Sequence, residues 1–140
     1  MIVQRHIVDS GPLVAYLSSR DRYHTWAKHA FASVSPPLLT CEAVLVESWH
    51  LLRDTAKGQD ALLDLLAQGL LDPDFAVKAE VMAIRQLTKR YRDRPMSLAD
   101  ACLVRLSELY DEASVMTVDS DFVVYRKHGR SSIPLVAPFA

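Results

Sequence analysis

Along this chain, short apolar runs alternate with longer segments whose apolar residues recur every three to four positions. Ile2, Val3, Ile7 and Val8 predict a first strand from Met1 to Val8, despite the polar Gln4, Arg5 and His6 between them. Pro12, at the front of GPLVAYLSS, suits the first turn of a helix. Tyr23, Trp26, Ala27, Ala30 and Phe31 recur at helical spacing and predict a helix from about Arg22 to Val34, which SVSPP then breaks. LLT reads as a brief strand, and Thr40 as the cap of a helix over CEAVLVESWHLLRD. Val44, Leu45, Trp49, Leu51 and Leu52 are the expected buried stripe of that helix.

In the second half, GQDALLDLLAQ predicts a helix that stops at Gly69, and LLDP a short strand. Val77, Val81, Ile84, Leu87 and Tyr91 mark an amphipathic helix over Ala76 to Tyr91. Ser97 opens a further helix, SLADACLVRLSELYD, and Ser114 to Val118 reads as a strand that ends in acids. SIPLVAP is the closing strand, and its Pro134 suits a sheet edge. Strands alternating with helices imply an α/β fold, a mostly parallel sheet with helices on both faces. With 140 residues and no internal repeat or linker, one domain over residues 1–140 is expected.

Half the residues are hydrophobic and 24% are charged, the profile of a globular protein rather than a disordered one. No apolar run approaches the roughly 18 residues that span a bilayer, and the start lacks a basic segment followed by an apolar stretch, so a cytoplasmic location without membrane partners is expected. Cys41 and Cys102 have no paired metal-ligand spacing and read as buried thiols. The net charge of −1 excludes an indiscriminate polycationic grip on nucleic acid. Any such grip is local, and RQLTKRYRDRP is the densest basic stretch: a solvated helix end, or a phosphate contact through Arg90, Arg92 and Arg94.

Functional groups in an open parallel sheet collect where strands end, and Asp9 and Asp119 both follow predicted strands. Asp121 lies two residues further on, Asp100 lies in the first turn of its helix, and Glu47 sits among apolar neighbours where an unpaired charge is costly. Each acid also has a local explanation. Asp9 can cap the following helix, Asp119 can cap a helix beginning near Ser120, and Asp100 forms a capping box with Ser97. Together, carboxylates drawn to one place repel one another unless a cation intervenes, and such oxygens suit Mg²⁺ or Mn²⁺. Ser10 and Thr117 stand beside the acids as hydrogen-bonding supports, or bond only to local backbone.

IVDSGPLVAYL, TCEAVLVESWHLL, MSLADACLVRLSE and VMTVDSDFVVYR together resemble the four acidic blocks of the PIN domain, and more narrowly VapC-type toxins, over essentially the whole chain. The resemblance implies a PIN-like three-layer α/β/α domain with a central sheet of about four or five strands. It makes Asp9, Glu47 and Asp100 the first three acids, with Glu42 competing for the second place, and Asp119 the fourth, with Asp121 as alternate or additional. It further implies RNA cleavage dependent on Mg²⁺ or Mn²⁺, a homodimer, and restraint by a cognate antitoxin of a type II toxin–antitoxin pair. Trp26 and Phe31 of the early helices are open to that antitoxin contact or to core packing. Two alternatives stand beside the toxin: a PIN-like module that binds RNA or protein without cutting, and a housekeeping nuclease. A haloacid-dehalogenase-like phosphatase is disfavoured because Gly11 stands where its second Asp belongs, and no G-x-S-x-G elbow or glycine-rich phosphate loop is present.

Overall fold

In the computed structural model, which describes residues 4–140, strand β1 covers His6–Val8. The part of the expected first strand at Met1, Ile2 and Val3 lies outside the described residues. Helices α1 (Ser10–Leu17) and α2 (His24–Ala32) lead to β2 (Leu38–Leu39), and α3 (Glu42–Leu51) and α4 (Gly58–Ala67) lead to β3 (Leu71–Asp72). Helices α5 (Val81–Arg90) and α6 (Leu98–Leu109) then lead to β4 (Ser114–Met116). A small hairpin of β5 (Arg126–Lys127) and β6 (Ser131–Ser132) precedes β7 (Leu135–Val136).

Five strands form one parallel sheet in the order β3-β2-β1-β4-β7, with six helices around it, as the α/β/α expectation requires. Ile7 is in register with Leu39 on one side and Val115 on the other, and Val115 with Leu135. The central strands are buried on both faces, so Ile7, Val8, Val115 and Met116 are all fully buried, which is why they read as unbroken apolar runs. β7 is an edge strand, and the adjoining Pro134 carbonyl accepts from Val115 N–H at 2.8 Å. The missing N–H of Pro134 thus costs the sheet nothing.

Three local expectations need correction, and one element was not foreseen. Thr40 does not cap α3: Cys41 occupies that position, and Thr40 Oγ1 donates to the Val8 carbonyl at 2.9 Å, tying β2 to β1. The buried stripe of α3 runs through Val44, Ser48 and Leu52 at four-residue spacing, while Trp49 and Leu51 are 43% and 48% exposed. Helix α5 begins only at Val81, after a 3-10 turn over Lys78–Glu80; Val77 and Val81 are exposed, and Ile84, Leu87 and Tyr91 carry the buried face. The β5–β6 hairpin was not expected from the sequence. Its turn places His128 and Gly129 at φ 54° and 74°, a left-handed pair, and a Cβ on Gly129 would lie 2.8 Å from Arg90 Nη1. Both cysteines are buried and free, as expected.

Candidate active site

Chain order departs outward from β1 through β2 to β3, then crosses back to β4 on the other side of β1. The loops leaving β1 and β4 therefore diverge, and a crevice opens at the C-terminal ends of those strands. Asp9 follows β1 directly, and its N–H still donates to the Met116 carbonyl at 3.0 Å. A Cβ on Gly11 would collide with the Val118 side chain, so the absent side chain at Gly11 lets α1 start against the β4 loop.

Asp9, Glu47, Asp100 and Asp119, with Ser10 and Ser97, line one cavity of about 350 Å³ at this crevice. Four different elements supply the four acids. The local capping explanations hold as well, because each aspartate gives one oxygen to backbone. Asp9 Oδ1 accepts from Ser10 N–H at 2.7 Å, Asp100 Oδ2 from Ser97 N–H at 3.3 Å, and Asp119 Oδ1 from Asp121 N–H at 2.9 Å. Capping thereby orients each carboxylate at the cavity wall.

Ser10 and Thr117 do more than bond locally. Ser10 Oγ donates to Glu47 Oε1 at 2.6 Å, joining α1 to α3. Thr117 Oγ1 accepts from Asp119 N–H at 2.9 Å and donates to Asp9 Oδ2 at 2.8 Å, a relay between the ends of β1 and β4. Burial is the chief force on the two deepest acids. It pushes Asp9 up to about 6, against the hydrogen bonds from Thr117 and Ser10, with Asp100 and Glu47 adding like-charge repulsion. Burial likewise raises Asp100, opposed by its bonds to Ser97 and Tyr125, with Asp119 adding repulsion.

Glu47 departs from its expected surroundings. It is exposed, because the apolar Val46 and Trp49 beside it lie on the solvent side of α3, and it is not a buried charge in need of rescue. Among the described residues, the costly acids are Asp9 and Asp100 instead. Glu42, the competing glutamate, is exposed at the start of α3 and does not line the cavity. Asp121 does not line it either; its Oδ1 accepts from Arg94 Nη1 at 3.0 Å. Arg94 is thereby tethered to the Asp119 loop, whereas Arg92 is exposed and Arg90 lines a different cavity with Arg105, Glu108 and Gly129.

Sequence reasoning missed Tyr125, which is fully buried and whose hydroxyl donates to Asp100 Oδ2 at 3.1 Å. In VVYRK it carries no signal beyond that of a core aromatic.

Among the described residues, no three Asp, Glu, His or Cys side chains already close into a metal cage. The acids face a shared space, and their hard oxygens fit a cation that keeps part of its water shell, as Mg²⁺ does. Bringing positive charge there would relieve both the burial cost and the mutual repulsion.

Comparison with known proteins accords with this geometry. The family model described as the PIN domain matches residues 6–127. The chain is 27% identical over 116 residues to Ribonuclease VapC26 of Mycobacterium tuberculosis, covering 81% of this chain and 85% of that protein. The crystal structure of Mycobacterium tuberculosis VapC20, described as a sarcin–ricin loop cleaving toxin, has the same fold, with a TM-score of 0.70 at 24% identity over 85% of this chain and 93% of that one. The family resembled by the four acidic blocks is the family whose model spans most of the chain: this protein belongs to the PIN domain family.

Proposed function

We propose that this protein is a divalent-metal-dependent endoribonuclease, acting in the cytoplasm as the toxin of a type II toxin–antitoxin pair. The observation that carries the reading is the convergence of Asp9, Glu47, Asp100 and Asp119 on one cavity with no cationic side chain to neutralise them among the described residues. The names of its relatives, a ribonuclease and an RNA-loop-cleaving toxin, support RNA as the substrate class.

A bound Mg²⁺ or Mn²⁺ supplies a water of lowered pKa and positive charge beside the scissile phosphate. Asp9, Asp100 and Asp119 are the proposed holders of the ion. Glu47 keeps Oε1 on Ser10, which leaves Oε2 to take part in holding the ion or to orient the attacking water. Asp121 serves by fixing Arg94, and Arg94, with Arg90 and Arg92 further out, is the proposed contact to RNA phosphates. Self-pairing and an antitoxin partner belong to the same reading, and the half-buried Trp26 and Phe31 of α2 are offered to that partner.

The test is cleavage of end-labelled RNA by the purified chain with Mg²⁺ or Mn²⁺, with chelator, and with Asp9→Asn. Scission that needs the ion and disappears in the variant is expected. RNA binding without scission under either ion would overturn the proposal and leave a binding module.

A further inference from the structure

Asp100 is held differently from the other acids. Its Oδ2 receives two donors, Ser97 N–H at 3.3 Å and the Tyr125 hydroxyl at 3.1 Å, and its Oδ1 has no hydrogen-bond partner among the described residues. Asp100 lines the acidic cavity, whereas Tyr125 does not: it lies behind the carboxylate, fully buried. The phenol therefore cannot meet RNA and can act only through Asp100.

The Tyr125 ring has little freedom to move away. Tyr91 packs edge-on at 5.0 Å and 69°, and Phe122 at 5.1 Å and 85°. Its N–H donates to the Asp121 carbonyl at 3.2 Å, and the next residue's N–H donates to Tyr91 Oη at 2.9 Å. Rings and backbone thus fix the hydroxyl relative to the Asp119–Asp121 turn. A phenylalanine would fill the same apolar space, so the hydroxyl adds one thing, a charge-assisted bond to a carboxylate at the cavity wall.

We infer that Tyr125 is a positioning residue: its buried hydroxyl, together with Ser97 N–H, fixes the Asp100 carboxylate from behind so that Oδ1 is presented to a divalent cation. Supports of this kind, donating to a ligand's second atom, typically change metal affinity or activity 10- to 100-fold. The inference rests on the acidic cluster being a cation site, as proposed above.

The experiment is a double-variant cycle read by Mn²⁺ titration calorimetry, with thermal unfolding of each metal-free chain as the control for folding. Tyr125→Phe should keep the thermal midpoint within a few degrees and weaken Mn²⁺ binding about tenfold. Asp100→Asn should weaken binding further, and adding Tyr125→Phe to it should change nothing more. RNA cleavage by Tyr125→Phe should fall in kcat with KM for RNA little changed, and excess Mn²⁺ should restore part of the loss. Unchanged Mn²⁺ affinity in Tyr125→Phe, or an equal loss in both backgrounds, would overturn the positioning role and leave the acidic site standing. Absence of Mn²⁺ binding by the parent chain, or its indifference to Asp100→Asn, would instead bring down the cation site and this inference with it.

Discussion

Helix α6 carries two acidic regions of opposite character. Near its C-terminal end, Glu108 accepts from Arg105 Nη1 at 3.1 Å and from His128 N–H at 2.6 Å, while Arg105 Nε also donates to Glu80 at 2.6 Å. Asp111, just beyond the helix, lies 3.0 Å from His128 Nε2 and 3.6 Å from the buried Lys127 ammonium. These partners, His128 foremost, hold the Asp111 carboxyl below the usual range. At the N-terminal end, Asp100 joins Asp9, Glu47 and Asp119, and among the described residues none of the four makes an ion pair. Burial there drives Asp9 and Asp100 upward.

The chain therefore supplies cations where acids pin the hairpin to α6, and withholds them where burial makes an acid most expensive. Desolvation without an ion-pair partner lowers stability, and the capping hydrogen bonds of these acids orient them without neutralising their charge. The proposed cation would offset that cost.

Four experiments bear on this contrast, from the largest expected effect to the smallest. Asp9→Asn should reduce the proposed metal-dependent RNA cleavage by roughly a thousandfold or more, since an ion held there would supply several kcal/mol of transition-state charge stabilisation. Single-turnover kinetics on a defined RNA would measure it, and cleavage within tenfold of the parent would remove Asp9 from the site.

The second concerns pH. Asp9 titrates at about 6 in the folded chain, above its ordinary 3.8, so the folded state holds this proton more tightly than the unfolded state does. The sign follows: the contribution of Asp9 to the stability of the metal-free chain is full below pH 4 and is lost as pH rises through 4 to 6, by about 3 kcal/mol. Urea unfolding in chelator at pH 4.5 and 7.5 would read the loss, and Asp9→Asn should flatten it while raising the thermal midpoint at pH 7.5. A profile identical in parent and variant would contradict the burial assigned to Asp9.

Thr117→Val should come next. The hydroxyl it removes is fully buried and bonded to both Asp9 and Asp119, so stability should fall by about 1–3 kcal/mol. Activity should drop about 10- to 100-fold, as for other supports of metal-binding carboxylates. Loss of stability alone would make Thr117 a purely structural tie. Smallest of all should be Asp111→Asn at the paired end, where the acid is exposed: a slight fall in thermal midpoint and unchanged cleavage. A large activity loss there would erase the distinction between the two ends.

Much of the fold was legible because burial leaves a periodic trace. The strand at Ile7–Val8, the stop at Gly69, the Ser97 capping box and the edge strand beside Pro134 all sit where residue pattern puts them. Helix α3 shows the limit of that reading. A run as apolar as VLVESWHLL does not say which of its residues face inward, and Leu45, Trp49 and Leu51 are less buried than expected. Glu47 reaches the cavity for a different reason than its neighbours implied: it lies on the face where Ser10 of α1 meets it.

By itself, the sequence determined which acids exist, which elements bear them and that those elements alternate as strand and helix, because propensity, capping and hydrophobic period act over a few residues. Tertiary structure alone decided that Asp119 rather than Asp121 lines the cavity, that Arg94 occupies Asp121, and that a tyrosine stands behind Asp100. Those outcomes depend on distances between segments remote in the chain, which sheet order and the approach of Gly11 to Val118 fix and local pattern does not encode.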